Sequence, residues 1–179
     1  MGYNTALWGA VYLEPQLNPH EVAYLQALAE CVYESFQSGL YTVNFDPAAR
    51  GGPAAMPTGV NNVPSGVCPW TASYDGQALE CVETERPDDP AEWMAYLIDT
   101  FLKPGASLAT ELARPRPGLA YPAALNSFTF NHVANGVIDA QGEAFDDRWR
   151  IAVRDNIVYV QEGEVTFRDE SRVFTTRVA

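Results

Sequence analysis

Residues 70–82 read WTASYDGQALECV, and the fold turns on how they are read. Trp70, Ala72 and Tyr74 alternate with Thr71 and Ser73, Asp75-Gly76 is a strong hairpin-turn pair, and Leu79 and Val82 carry the chain back. If Asp75-Gly76 closes the turn, residues whose numbers sum to 151 face each other. Trp70 then stands opposite Cys81, and Cys68 falls out of register.

Working outward, a helix flanks the hairpin on each side. The upstream one has Asn18 as N-cap, Pro19 at the first helical position, Glu21 three residues past the cap, and Leu17 facing Val22 as a hydrophobic staple. Its apolar stripe is Val22, Leu25, Leu28, Ala29, Val32 and Phe36, with Gly39 as the stop. The downstream helix repeats this grammar with Asp89, Pro90 and Glu92. It continues through Trp93, Met94, Tyr96, Leu97, Ile98, Phe101 and Leu102, apolar on more than one stripe, which predicts deep burial. Lys103, Pro104 and Gly105 end it.

Beyond the helices lie strands. Tyr3 to Leu13 alternates with apolar groups on both faces, as a central strand does. Toward the C-terminus, Phe128, Phe130 and Val133 lead into Asn135-Gly136, a hairpin signal, with Val137-Ile138 leading out. Trp149 to Val153 turns at Asp155-Asn156 into Ile157 to Val160, Gly163 turns the chain toward Val165 to Phe167, and a last strand runs from Val173 to Val178. The order is strand, helix, hairpin, helix and several strands. That is an α+β fold, an antiparallel sheet with two helices, whose first part follows the β-α-β-β-α-β plan of a ferredoxin-like unit extended by a C-terminal meander. Two segments, 40–69 and 103–125, are rich in Pro and Gly and are expected as long loops of a single domain spanning 1–179.

Composition sets limits on function. With 47% apolar and 12% aromatic residues the chain can build a core, which excludes global disorder. Ten Arg and one Lys against 23 acids give a net charge of −12, which argues against direct nucleic-acid binding and for a protein partner with a basic surface. No apolar run is long enough to span a bilayer and no leader pattern opens the chain, so no membrane contact and a cytosolic location are expected. Cys31, Cys68 and Cys81 form no C-x-x-C pair and are read as reduced thiols.

Catalytic and cofactor motifs do not assemble. There is no phosphate-binding glycine loop, and two histidines, His20 and His132, cannot form a zinc-hydrolase signature, so no cofactor or metal is expected. His20 reads as exposed in the first helical turn and His132 as an alternating strand residue. Of the acidic pairs, Asp88-Asp89 supplies Asp89 as the helix cap, and Asp146-Asp147 lies in a turn beside Arg148 and Arg150, where local ion pairs are expected. Charge placement says more: residues 75–99 hold eight acids against one base, Arg86. Glu80, Glu83, Glu85, Asp88 and Glu92 therefore form the candidate docking surface for a basic groove, including one that normally holds nucleic acid. A second reading is small-ligand or nucleotide binding or hydrolysis in a pocket under the 40–69 loop, near Trp70, Tyr74, Asp146 and Asp147. A third is a phage structural or decoration protein assembling through an edge strand.

The residues also carry a resemblance. Gly2-Tyr3 with Gly9, LNPHEVAYL from Leu17 to Leu25, Cys68-Pro69-Trp70 with Ser73, Asp75-Gly76, Leu79-Glu80, PAEWMAYLIDTFLKPGA from Pro90 to Ala106, and the stretch from Phe130 to Gly163 together resemble a family of small proteins of actinobacteria and their phages. The resemblance implies a setting and no particular activity: a non-enzymatic accessory or inhibitor protein in the host cytosol, docking on a host or defence protein.

Overall fold

The structure is a computed structural model in which residues 5–30, 41, 63–64, 66–82, 89–117 and 121–166 are described. Strand β1 (Ala6–Glu14) is followed by α1 (Pro19–Ala29), the hairpin β2 (Trp70–Ala72) and β3 (Ala78–Cys81), α2 (Pro90–Leu97), α3 (Ser107–Ala113), and strands β4 (Val133–Gln141), β5 (Arg148–Arg154) and β6 (Ile157–Glu162). The six strands form one antiparallel sheet in the order β2-β3-β1-β4-β5-β6. β1 and β2 therefore run parallel with β3 between them, and β3 and β4 run parallel with β1 between them. Two interlocked split βαβ units result, the ferredoxin-like arrangement, with β5 and β6 added at one side.

Local chemistry explains the well-formed elements. The Asn18 side chain accepts from the His20 and Glu21 N–H groups, and the Glu21 carboxylate returns the bond to the Asn18 N–H at 2.8 Å, a complete capping box. The hairpin pairs Trp70 with Cys81, Thr71 with Glu80 and Ala72 with Leu79, the register deduced from the sequence. The connection is wider than a two-residue turn: Ser73 pairs with Ala78 and the Ser73 hydroxyl bonds Asp75, so Tyr74 to Gln77 form the loop. Asp155 and Asn156 both take positive φ, 48° and 69°, as a tight hairpin turn requires between β5 and β6.

Three expectations are corrected. Asn135-Gly136 does not turn; it lies inside β4, which pairs with β1 along nine residues. A Cβ on Gly136 would meet the Ala10 carbonyl oxygen at 2.3 Å, and one on Gly9 would meet the Val137 oxygen at 2.3 Å. These glycines permit close strand approach rather than reversal. Asp89 stands at the N-cap of α2 but has φ 40°, a left-handed entry, and its side chain makes no capping bond. Segment 103–125 holds α3 and the start of a short 3₁₀ turn, Ala123–Ser127. Gly163 still stands in the ladder, its N–H bonding the Arg148 carbonyl. Val32, Phe36, Gly39, Phe167 and the strand expected at 173–178 lie outside the described residues, as does most of 40–69.

α1 and α2 pack on one face of the sheet. Val11, Leu13, Leu79, Ile138, Ile151 and Val153 meet Tyr24, Leu25 and Leu28 from α1 and Trp93, Met94 and Leu97 from α2 in a single core. A π turn, Ile98–Leu102, prolongs α2 and buries Phe101 against Tyr24, Tyr96 and Phe128. α2 touches both edge strands, β2 and β6. Laid flat, six strands would span about 24 Å, far more than a helix of about 10 Å diameter covers. The sheet therefore curls around α2, and its other face is left outward.

Candidate functional site

Strand alternation decides what that outward face carries. On β1, Val11 and Leu13 point into the core, so Trp8, Tyr12 and Glu14 point out; on β5, Ile151 and Val153 point in, so Arg148, Arg150 and Arg154 point out. Pairing aligns these side chains across strands. One row reads Trp8, Asp139, Arg150, Gln161 and the next Ala10, Val137, Ala152, Tyr159; farther on, Tyr12 faces Asn135 and Arg154 faces Ile157. Trp8 is 48% exposed, Tyr12 63% and Tyr159 43%, and Val137 and Ile157 are exposed beside them. Arg150 donates to Asp139 at 2.8 Å, and the Arg154 guanidinium lies 5.8 Å from the Tyr159 ring centroid. Three of the ten arginines thus stand on one open face with three aromatic rings.

The sites expected from the sequence are placed differently. Glu80 points out from β3, opposite Ala10, whereas Glu92 is exposed on α2, on the other side of the sheet. These two acids do not share a face, and Glu83, Glu85 and Asp88 lie outside the described residues. Trp70 is a core residue whose indole N–H donates to the Pro90 carbonyl at 2.8 Å. Tyr74, 97% exposed, tips the hairpin at the end of the sheet where β1 finishes; Asp146 and Asp147 occupy the β4–β5 turn where β1 begins. The geometry does not bring these four residues to one pocket. Arg150, expected to pair within that turn, pairs with Asp139 instead.

Sequence reasoning missed a buried ion pair. His132 is no alternating strand residue; it precedes β4, is buried, and sits on the Glu21 carboxylate. Its Nδ1 lies 2.6 Å from the Pro15 carbonyl, which can only accept, so Nδ1 carries a proton. Nε2 lies 3.2 Å from Glu21 Oε1 and 3.0 Å from the Thr129 hydroxyl, which itself donates to that carboxylate. Both ring nitrogens face acceptors, and the imidazolium form is favoured. Burial pushes the His132 pKa down, but the Glu21 carboxylate and the Pro15 carbonyl more than reverse this and raise it. Burial likewise pushes Glu21 up, and hydrogen bonds from His132, Asn18 and Thr129 outweigh it to give a lowered pKa. Fully enclosed, the pair ties the start of α1 to the entry of β4. Its sequence signal was Glu21 itself, already recognised as half of the capping box.

A second polar cluster closes the α3 side. Glu111 accepts from the Tyr41 and Tyr121 hydroxyls, each at 2.8 Å, and pairs with Arg116 at 2.8 Å, while the Tyr24 hydroxyl donates to the Tyr41 carbonyl. Burial, with the neighbouring Glu111 carboxylate, raises the Tyr41 pKa and keeps the phenol neutral. Cys68 is a free thiol pushed up to about 12 by burial, which removes it as a nucleophile near neutral pH. Among the described residues no group of three His, Cys, Asp or Glu side chains is placed to hold a metal ion, and no helix is long and apolar enough to cross a membrane. No known protein family, curated protein or solved structure matches the chain.

Proposed function

We propose that this protein is a non-enzymatic binding protein whose working surface is the outward face of its sheet. One observation carries the reading: Trp8, Tyr12 and Tyr159 are displayed to solvent on the same sheet face as Arg148, Arg150 and Arg154, although the chain has a full core in which to bury rings. Aromatic residues and arginine are the types enriched at interfaces and at their energetic centres. The setting is the accessory role in a host cytosol that the resemblance to small actinobacterial and actinophage proteins implies. In this reading the docking surface moves from the acidic hairpin and helix to the outward rows of β1, β5 and β6.

The test is affinity capture from host lysate with the full chain and with Trp8→Ala/Tyr12→Ala/Tyr159→Ala, whose fold is checked by circular dichroism. Loss of the retained partner in the variant, with retention in Glu92→Lys on the far side, is the expected result. Identical capture by wild type and the triple variant overturns the sheet-face reading.

A further inference from the structure

We infer that a second copy of this chain pairs with the open edge of the sheet at β6. The two edges are built differently. β2 is three residues long, follows Pro69 and packs against α1, so it offers little to another strand. β6 runs for six residues in unbroken register with β5, and from Ile157 to Gln161 it has no proline, no charge and no bulge. Among the described residues no strand pairs with its far side. The Gly163 N–H bonds the Arg148 carbonyl at 2.6 Å, and bonding alternates along an antiparallel ladder. Ile157, Tyr159 and Gln161 therefore direct their backbone groups to β5, whereas Val158, Val160 and Glu162 turn theirs to the open edge.

Both faces of this edge strand are apolar and uncovered. Ile157 and Tyr159 stand on the outward face at 55% and 43% exposure, and Val160 stands on the helical side beside buried Ile151 yet is 58% exposed. An added strand satisfies the backbone groups and both rows of side chains together. The strip is its own complement. Run antiparallel about a two-fold axis beside Tyr159, Val158 of one copy faces Val160 of the other, Ile157 faces Gln161, and Tyr159 faces Tyr159. This register sets the edge-facing groups of Val158 and Val160 opposite each other, so each N–H meets a carbonyl. With no charge between Ile157 and Gln161, the strip gives a foreign partner no charge to recognise and sets no like charges opposite each other in a pair of copies. The net charge of −12 then repels only between the bodies of the two copies, a repulsion that salt screens. A strip about 20 Å long and one sheet wide falls at the low end of specific interfaces, so the pairing is reversible.

The experiment follows the full chain by sedimentation equilibrium from about 5 µM to about 500 µM, with amide hydrogen exchange at the two extremes. The expected result is a monomer–dimer equilibrium that strengthens with added salt. The Val158 and Val160 amides are then protected only at high concentration, and those of Tyr159 and Gln161 throughout. Val160→Lys and Val160→Pro each weaken the dimer at least about tenfold and leave the circular dichroism unchanged, because the Val160 N–H faces away from β5 and proline removes a donor that only pairing uses. A monomer at about 500 µM overturns the inference. Protected Val158 and Val160 amides in that monomer would assign the edge to another segment of the same chain, and freely exchanging ones would leave it to a foreign partner. A dimer that weakens with salt, or that neither substitution weakens, overturns it as well. Trp8→Ala/Tyr12→Ala leaves the dimer unchanged, so this inference and the sheet-face reading stand or fall separately.

Discussion

Replacing Glu21 with alanine probes the joint between α1 and the segment entering β4. The buried carboxylate accepts from the Asn18 N–H at 2.8 Å, the Thr129 N–H at 2.7 Å, the Thr129 hydroxyl at 2.9 Å and His132 at 3.2 Å. Alanine leaves a buried imidazolium without its counter-charge, and truncating one partner of a buried pair costs about 3–5 kcal/mol. In a domain of this size 1 kcal/mol moves Tm by about 2–4 °C, so Tm should fall by about 6–20 °C. Urea denaturation followed by tryptophan emission measures the loss, and a double-mutant cycle with His132→Ala isolates the pair, with a coupling of at least about 1 kcal/mol. A loss below about 1 kcal/mol for Glu21→Ala would refute the reasoning. The pH dependence has a fixed sign. The folded pKa of His132 lies above its ordinary 6.5, so its contribution is complete below pH 6.5 and is lost as pH rises through the raised value. The folded pKa of Glu21 lies below its ordinary 4.5, so its contribution is present above pH 4.5 and is lost as pH falls through the lowered value. Stability contributed by the pair is therefore greatest between these limits, and Glu21→Gln flattens both arms.

Other substitutions test the packing more locally. Gly136→Ala puts a methyl group 2.3 Å from the Ala10 oxygen and should cost about 1–3 kcal/mol in urea; an unchanged midpoint would show that β1 and β4 have room. Asn156→Gly keeps a backbone suited to φ 69° but loses the bonds from the Ala134 N–H at 2.7 Å and to the His132 carbonyl at 3.1 Å. It should therefore destabilise by about 1 kcal/mol, whereas a stabilised variant would mean that backbone strain outweighs those bonds. Cys68 should resist a thiol reagent at pH 8 in the native chain and react on unfolding, as read by peptide mass spectrometry; rapid native labelling contradicts its burial.

Local signals made much of the fold legible. Asn18 with Pro19 and Glu21, the turn between Trp70 and Cys81, and Asp155-Asn156 each act within a few residues, so their chemistry shows in the sequence alone. Asn135-Gly136 has the same local form as a turn, but what governs it is the closeness of β1 in the folded sheet. Only the pairing of Val11 with Gly136 reveals that. Asp89 misled for a related reason: the residue type suits a cap, yet the chain enters α2 through a left-handed conformation in which the side chain makes no capping bond. α3 is a seven-residue helix with Leu108 as its buried anchor, too short for periodicity to stand out from its Pro-rich surroundings.

The candidate site was legible only in part. Alternation in β1 already separates Trp8 and Tyr12 from Val11 and Leu13. That Arg150 and Tyr159 share their face depends on the strand order, which brings β4 and β5 beside β1 across long stretches of sequence. Charge counted along the chain drew attention to residues 75–99, whereas charge counted across the sheet draws it to β5.

Hydroxyl-radical footprinting of the immobilised chain, before and after loading with host lysate, tests the central claim most directly. The sheet-face account predicts that Trp8, Tyr12 and Tyr159 lose reactivity on loading while Tyr74, at the hairpin tip, keeps it. Protection of Tyr74 with Trp8 and Tyr159 unchanged would contradict it.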